Sequence, residues 1–88
     1  MNYKGTVQIR LDNRGSKSEG KYAHILLEDG EDYILYRGGT MPANDAFFAP
    51  YDAQKVEVEG EMEKDFGYIC VTHIQPTSSV TETEITNQ

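Results

Sequence analysis

Four serines, two histidines and one cysteine are the side chains with which this chain of 88 residues could attempt nucleophilic or acid–base chemistry. Ser16, Ser18, Ser78 and Ser79 sit in stretches without apolar periodicity, and none lies on the sharp strand-to-helix turn that presents a nucleophilic serine. His24 and His73 fall in two segments that the strand pattern keeps apart, so they do not supply a base beside a nucleophile. Cys70 lies in an apolar run with no base next to it, and it reads as a small hydrophobe rather than an activated thiolate. A single cysteine also excludes an internal disulfide and a cysteine-only metal site. The expectation is a protein that is not an enzyme, with no cofactor and no metal.

Carboxylates are the other chemically capable group. Glu28, Asp29, Glu31 and Asp32 crowd Gly30, yet they lack the ligand spacing of a calcium loop. They read as a solvated turn. Glu57, Glu59, Glu61 and Glu63 recur at every second position, which puts all four on one face of a strand. That row is either the wet face of the strand, discouraging edge pairing, or an acidic patch that docks a basic protein. It is the candidate protein-binding patch.

Strands must position these groups, because period two dominates the chain. Tyr3, Gly5, Val7, Ile9 and Leu11 alternate with polar residues and predict a first strand. Gly5 marks a close backbone approach or a bulge. Residues 12–20 predict a long loop. A second strand runs over about 21–28 and a third over about 32–37. Asp29-Gly30 between them predicts a two-residue hairpin turn with positive φ at both positions. Residues 43–49 predict a short helix, capped by Asn44 or Asp45 and stopped by Pro50. Phe47, Phe48 and Tyr51 are too apolar for a free loop and are expected to plug the core. Val56, Val58, Gly60 and Met62 give the fourth strand its inward row. The fifth runs over about 66–74, with apolar residues on both rows.

This layout resembles the OB-fold, a five-stranded all-β barrel with a helix between strands 3 and 4. The resemblance rests on Tyr3–Leu11, Asp29-Gly30, Ala43–Tyr51 and Val56–Gly60. It implies a closed barrel over residues 1–75; the composition of residues 76–88, acidic and Ser/Thr-rich, separately predicts a disordered tail. The resemblance also implies a ligand face on strands 2 and 3 and on the 1–2 and 4–5 loops. Arg14, Lys17 and Lys21 fall on that loop and strand, with Tyr22, His24, Tyr33 and Tyr36 as candidates for stacking. Tyr33 and Tyr36 belong to opposite rows, so only one of them faces outward.

Charge sorts the partner classes. The net charge is −7, and it is unevenly spread. Residues 1–21 carry five bases against two acids, while residues 22–88 carry three against thirteen. Nucleic-acid affinity depends on neutralising phosphates, so the acidic balance disfavours single-stranded nucleic acid as partner, although the basic first quarter would tolerate it. No apolar run approaches the ~20 residues of a membrane span, and no secretory leader is visible. The expectation is a cytoplasmic binding module of the accessory, inhibitor or immunity type that recognises another protein. The alternative is a single-stranded nucleic-acid binder using the 1–2 loop and the tyrosines of strands 2 and 3.

Overall fold

A computed structural model describes residues 1–77. Five strands form: β1 Asn2–Asp12, β2 Gly20–Leu27, β3 Asp32–Tyr36, β4 Lys55–Glu63 and β5 Tyr68–Pro76. A 3₁₀ helix, Ala46–Tyr51, joins β3 to β4. The sheet closes on itself as a ring in the order β1-β2-β3-β5-β4. All neighbours are antiparallel except β3 and β5, which run parallel. Of the stretch expected to be a tail, Pro76 and Thr77 belong to the sheet end: Pro76 pairs with Val56, and the Thr77 amide donates to the Lys55 carbonyl at 2.9 Å. The rest of that stretch, 78–88, lies outside the described residues.

β1 is long because it serves two neighbours. Its Gly5 pairs with Leu27 of β2 on one side and with Val56 of β4 on the other. A side chain there would fall on the Leu26 carbonyl, so the close approach expected at Gly5 is present. Gly60 has the same role in β4, where a Cβ would fall on the Cys70 carbonyl.

Inward rows fill the ring. Val7, Ala23, Ile25, Leu27, Tyr33, Leu35, Val56, Val58, Ile69, Val71 and Ile74 are buried, and Phe48 from the helix joins them with no exposed surface. Strict alternation in β4 holds as expected, with Val56, Val58 and Gly60 buried between glutamates. In β5 it breaks. Pairing jumps from Glu59↔His73 to Gly60↔Val71 and leaves Thr72 without an opposite residue. Its hydroxyl donates to the Glu59 carbonyl at 3.0 Å. The extra residue of this bulge moves the inward row from Ile69 and Val71 to Ile74. Cys70 therefore points outward and is half-buried.

Three local expectations need correction. The turn after β2 is a three-residue loop, Glu28-Asp29-Gly30: the Gly30 amide donates to the Leu27 carbonyl at 2.9 Å, and the Leu27 amide to the Glu31 carbonyl at 2.7 Å. Only Gly30 has positive φ, at 93°, which is the type I turn plus bulge that longer hairpins use. Strand β5 starts at Tyr68, because Gly67 at φ 74° completes the preceding turn. The helix is shifted and tighter than expected. It begins at Ala46 and contains Pro50 instead of stopping before it. In so short a helix most amides have no intrahelical acceptor, so the missing proline N–H costs little.

Asp45 fixes the helix start. Its side chain accepts from the Phe47 amide at 3.0 Å and forms a two-pronged ion pair with Arg37 at 2.9 and 3.0 Å. Its side chain is only 5% exposed. The Arg37 guanidinium, ahead of the opposing effect of burial, holds the Asp45 carboxyl below the usual carboxylate range. Arg37 also lies 4.4 Å over the Phe47 ring, whose edge meets Phe48 at 5.0 Å.

Two outcomes follow from this plug. Phe48→Ala should cost about 3–5 kcal/mol in urea unfolding, whereas Phe47→Ala, on a side chain already 41% exposed, should cost well under half of that. Asp45→Asn should cost about 1–3 kcal/mol at neutral pH. A carboxyl lowered in the folded state contributes its stability above the unfolded value of about 4 and loses it as pH falls through the folded value. Urea midpoints of the Asn variant and the natural chain should therefore differ at pH 7 and converge on acidification below pH about 4.

Candidate binding face

Tyr22 shows how the 1–2 loop is held over the sheet. It is buried on the outer face of β2, and its hydroxyl donates to the Ser18 carbonyl at 2.6 Å. The loop also ties itself: the Ser16 amide donates to Asn13, the Glu19 amide to Ser16, and the Gly15 amide to the Glu19 carboxylate. On the other flank, the segment after β3 runs back along β2. The Asn44 amide donates to the Lys21 carbonyl at 2.7 Å, and the Lys21 amide donates to the Asn44 side chain at 2.9 Å. Met41 and Pro42 are thereby brought opposite Tyr22.

Between these walls lies a groove. A section of about 450 Å³ is lined by Lys17, Tyr22, Met41, Pro42 and Tyr68 among others. It continues at Pro42 and Tyr68 into a section of about 280 Å³ lined by Tyr36, Thr40, Glu63 and Phe66. Glu63 and Phe66 in turn border a depression of about 300 Å³ with Lys64 and Asp65. The trough thus runs across the outer face from the 1–2 loop to the 4–5 turn. The Tyr36 and Tyr68 rings meet edge to face at 5.6 Å. Tyr36 donates its hydroxyl to Glu63 at 2.6 Å, and this bond, with burial, raises the phenol above its ordinary value. Met41 is 75% exposed and Phe66 76%.

Beside the groove, the outer face of β1, β2 and β3 carries a network of paired polar side chains. His24 is buried, with Nε2 at 2.5 Å from Asp12 and Nδ1 at 2.8 Å from Asp32. Arg10 binds Asp32 at 2.8 Å and also donates to Gln8. Burial works against the Asp32 charge, but the hydrogen bonds from His24 and Arg10 outweigh it and keep that carboxyl low. Both His24 nitrogens thus lie within hydrogen-bond distance of a carboxylate. Among the described residues, no group of three or more His, Cys, Asp and Glu side chains is placed to hold a metal ion. No helix among them is long and apolar enough to cross a membrane.

The candidate residues therefore separate. Lys17, Tyr22 and Tyr36 line the groove. Arg14 is exposed on the 1–2 loop and does not line the groove, and Lys21, on the row of Ala23, lines a separate pocket with Ile9, Ala23 and Asn44. His24 is in the polar network. Tyr33 faces the core, and its hydroxyl donates to Glu31 at 2.5 Å, which pushes the phenol up to about 12. The glutamate row lies on the outer face of β4, where Glu57 accepts from Asn2 at 2.8 Å, Glu63 reaches the groove, and Glu59 and Glu61 are exposed. Sequence reasoning missed Met41, Pro42, Phe66 and Tyr68. The available signal was two large apolar residues, Met41 in a segment otherwise reading as a turn and Phe66 at the very start of the expected fifth strand. No family model, curated protein or solved structure matches the chain.

His24→Ala should cost about 1–3 kcal/mol in urea melts, because Asp12 and Asp32 lose their shared hydrogen-bond partner. It should leave the affinity of any groove ligand within about twofold, since the ring does not line the groove; a loss of affinity without loss of stability would return His24 to the site.

Proposed function

We propose that the ring is an OB-fold and that the chain is a non-enzymatic binding module which recognises another protein through the outer groove. The strand order, the parallel β3–β5 pair and the helix between β3 and β4 support the OB reading. The observation that carries the binding reading is the trough across the outer face, with Met41 and Phe66 standing exposed on its walls. Each is a large apolar side chain held in the open beside a concavity, and concave, largely apolar surface is where ligands and partners usually bind.

Single-stranded nucleic acid is the second reading. Lys17 beside the Tyr22 and Tyr68 rings favours it, since bases stack on rings while cations follow phosphates. The far end opposes it, because Glu63 and Asp65 would meet the same phosphates.

The combined substitution Met41→Asp with Phe66→Asp tests the proposal. Both side chains are exposed, so stability should stay within about 0.5 kcal/mol per site. Protein retained by the immobilised natural chain from nuclease-treated lysate should be lost with the variant, with affinity for the purified partner falling at least about tenfold. Labelled poly-dT should bind no tighter than about 10⁻⁶ M at physiological salt. A nanomolar poly-dT complex would overturn the protein reading.

A further inference from the structure

The outer row of β2 has a third part. Beyond Tyr22 at the groove and His24 in the polar network comes Leu26, which is 39% exposed. It borders a separate depression of about 200 Å³, lined also by Lys4, Glu28, Lys55 and Thr77 among others. Lys4 and Lys55 are exposed and in no ion pair among the described residues. Among the described residues the lining thus sets two bases against one acid, Glu28. Thr77 is the last described residue, and its amide is held by the Lys55 carbonyl at 2.9 Å. The chain therefore leaves the sheet at the rim of the depression. The residues that follow are Ser78-Ser79-Val80-Thr81-Glu82-Thr83-Glu84.

We propose that this segment of the chain is the occupant of the depression, with Val80 covering Leu26 and with Glu82 and Glu84 meeting Lys4 and Lys55. The order of residues suits the surface. Two small polar residues lead out from Thr77, and Val80 is the first large aliphatic within reach, at about 10 Å of extended chain. The acids come next, where the bases are. On the other side of Lys55, β4 presents Glu57 and Glu59, which repel the same acids. A segment tethered at the rim also meets its site at an effective concentration on the order of millimolar, so a contact of this size needs little intrinsic affinity. The inference is independent of what the groove binds. Composition alone predicts disorder from residue 76; the proposal gives the first residues after Thr77 a place on the sheet. With the segment there, a partner lying along the outer row of β2 finds Tyr22 open and Leu26 taken.

NMR on the isotope-labelled full chain tests this. The Val80 methyl protons should show nuclear Overhauser contacts to those of Leu26. Val80→Asp should abolish the contacts and move the amide signals of Thr6, Leu26 and Lys55, leaving those of Tyr36 and Tyr68 in place. At about 0.5 M salt the shift differences between the natural chain and this variant should fall to about half or less, as the ion pairs are screened. Lys4→Glu with Lys55→Glu should also release the segment. Both lysines are exposed, so urea melts of that variant should match the natural chain. Adding Glu82→Lys with Glu84→Lys should restore the Val80–Leu26 contacts. Amide signals that stay in place when Val80 is replaced overturn the proposal. Contacts from Val80 to Tyr36 or Tyr68 overturn it as well and put the segment in the groove. Contacts that survive reversal of the two lysines, or that the double reversal does not restore, overturn the charge pairing on which the proposal rests.

Discussion

Three residue pairs between β3 and β5 close the ring: Ile34↔Tyr68, Leu35↔Ile69 and Tyr36↔Cys70. The pairing is parallel and short, and the Ile34 amide extends it to the Gly67 carbonyl at 2.9 Å. Without it the sheet would keep two open edges, and β3 and β5 would not share a face. With it, Leu35 and Ile69 meet inside while Tyr36 and Tyr68 meet outside. Core and groove are therefore consequences of one contact. The same closure sets the 4–5 turn beside the end of β3, which is what lets Glu63 receive the Tyr36 hydroxyl.

Closing so few strands demands curvature, and the chain supplies it at points where the alternating pattern is interrupted. Gly5 and Gly60 lie directly over neighbouring backbone, and Thr72 is the added residue that turns β5. Bulges raise local twist and bend a strand, so one strand can belong to two parts of the ring. This explains what the amino-acid order reveals and what it hides. β4 is legible because its alternation is unbroken, and Gly5 is legible because glycine in a strand signals close approach. The direction of Cys70 is not legible, since a one-residue bulge exchanges the rows and leaves no local mark in composition. The Asp29-Gly30 turn is legible as a turn but not in its length, because the same pair serves a two-residue and a three-residue loop. Asp45 is legible as a cap, but its partner Arg37 and the passage of the helix through Pro50 depend on contacts made elsewhere.

The candidate face divides in the same way. The resemblance pointed to the outer side of β2 and β3, and alternation alone stated that Tyr33 and Tyr36 must part. Which of the two faced inward depended on the register with β2 and β5. His24 looked like a stacking candidate because it shares a row with Tyr22. Only the fold brings Asp12 from β1 and Asp32 from β3 to its two nitrogens. Met41 was hidden because an apolar residue in a turn carries no sign of whether it will be buried or left in solvent, and Phe66 because it read as the start of the fifth strand, which begins only at Tyr68.

The polar network and the groove share one sheet surface, and the first gives the second its boundary. Arg10, Gln8, His24, Asp12 and Asp32 saturate one another across β1, β2 and β3. Paired charges of this kind offer a partner little, because breaking them costs the desolvation of whichever group is left behind. An incoming chain would therefore gain most where the face is uncharged, along Tyr22, Tyr68 and Tyr36. The sealed half of the face tells a ligand where not to lie.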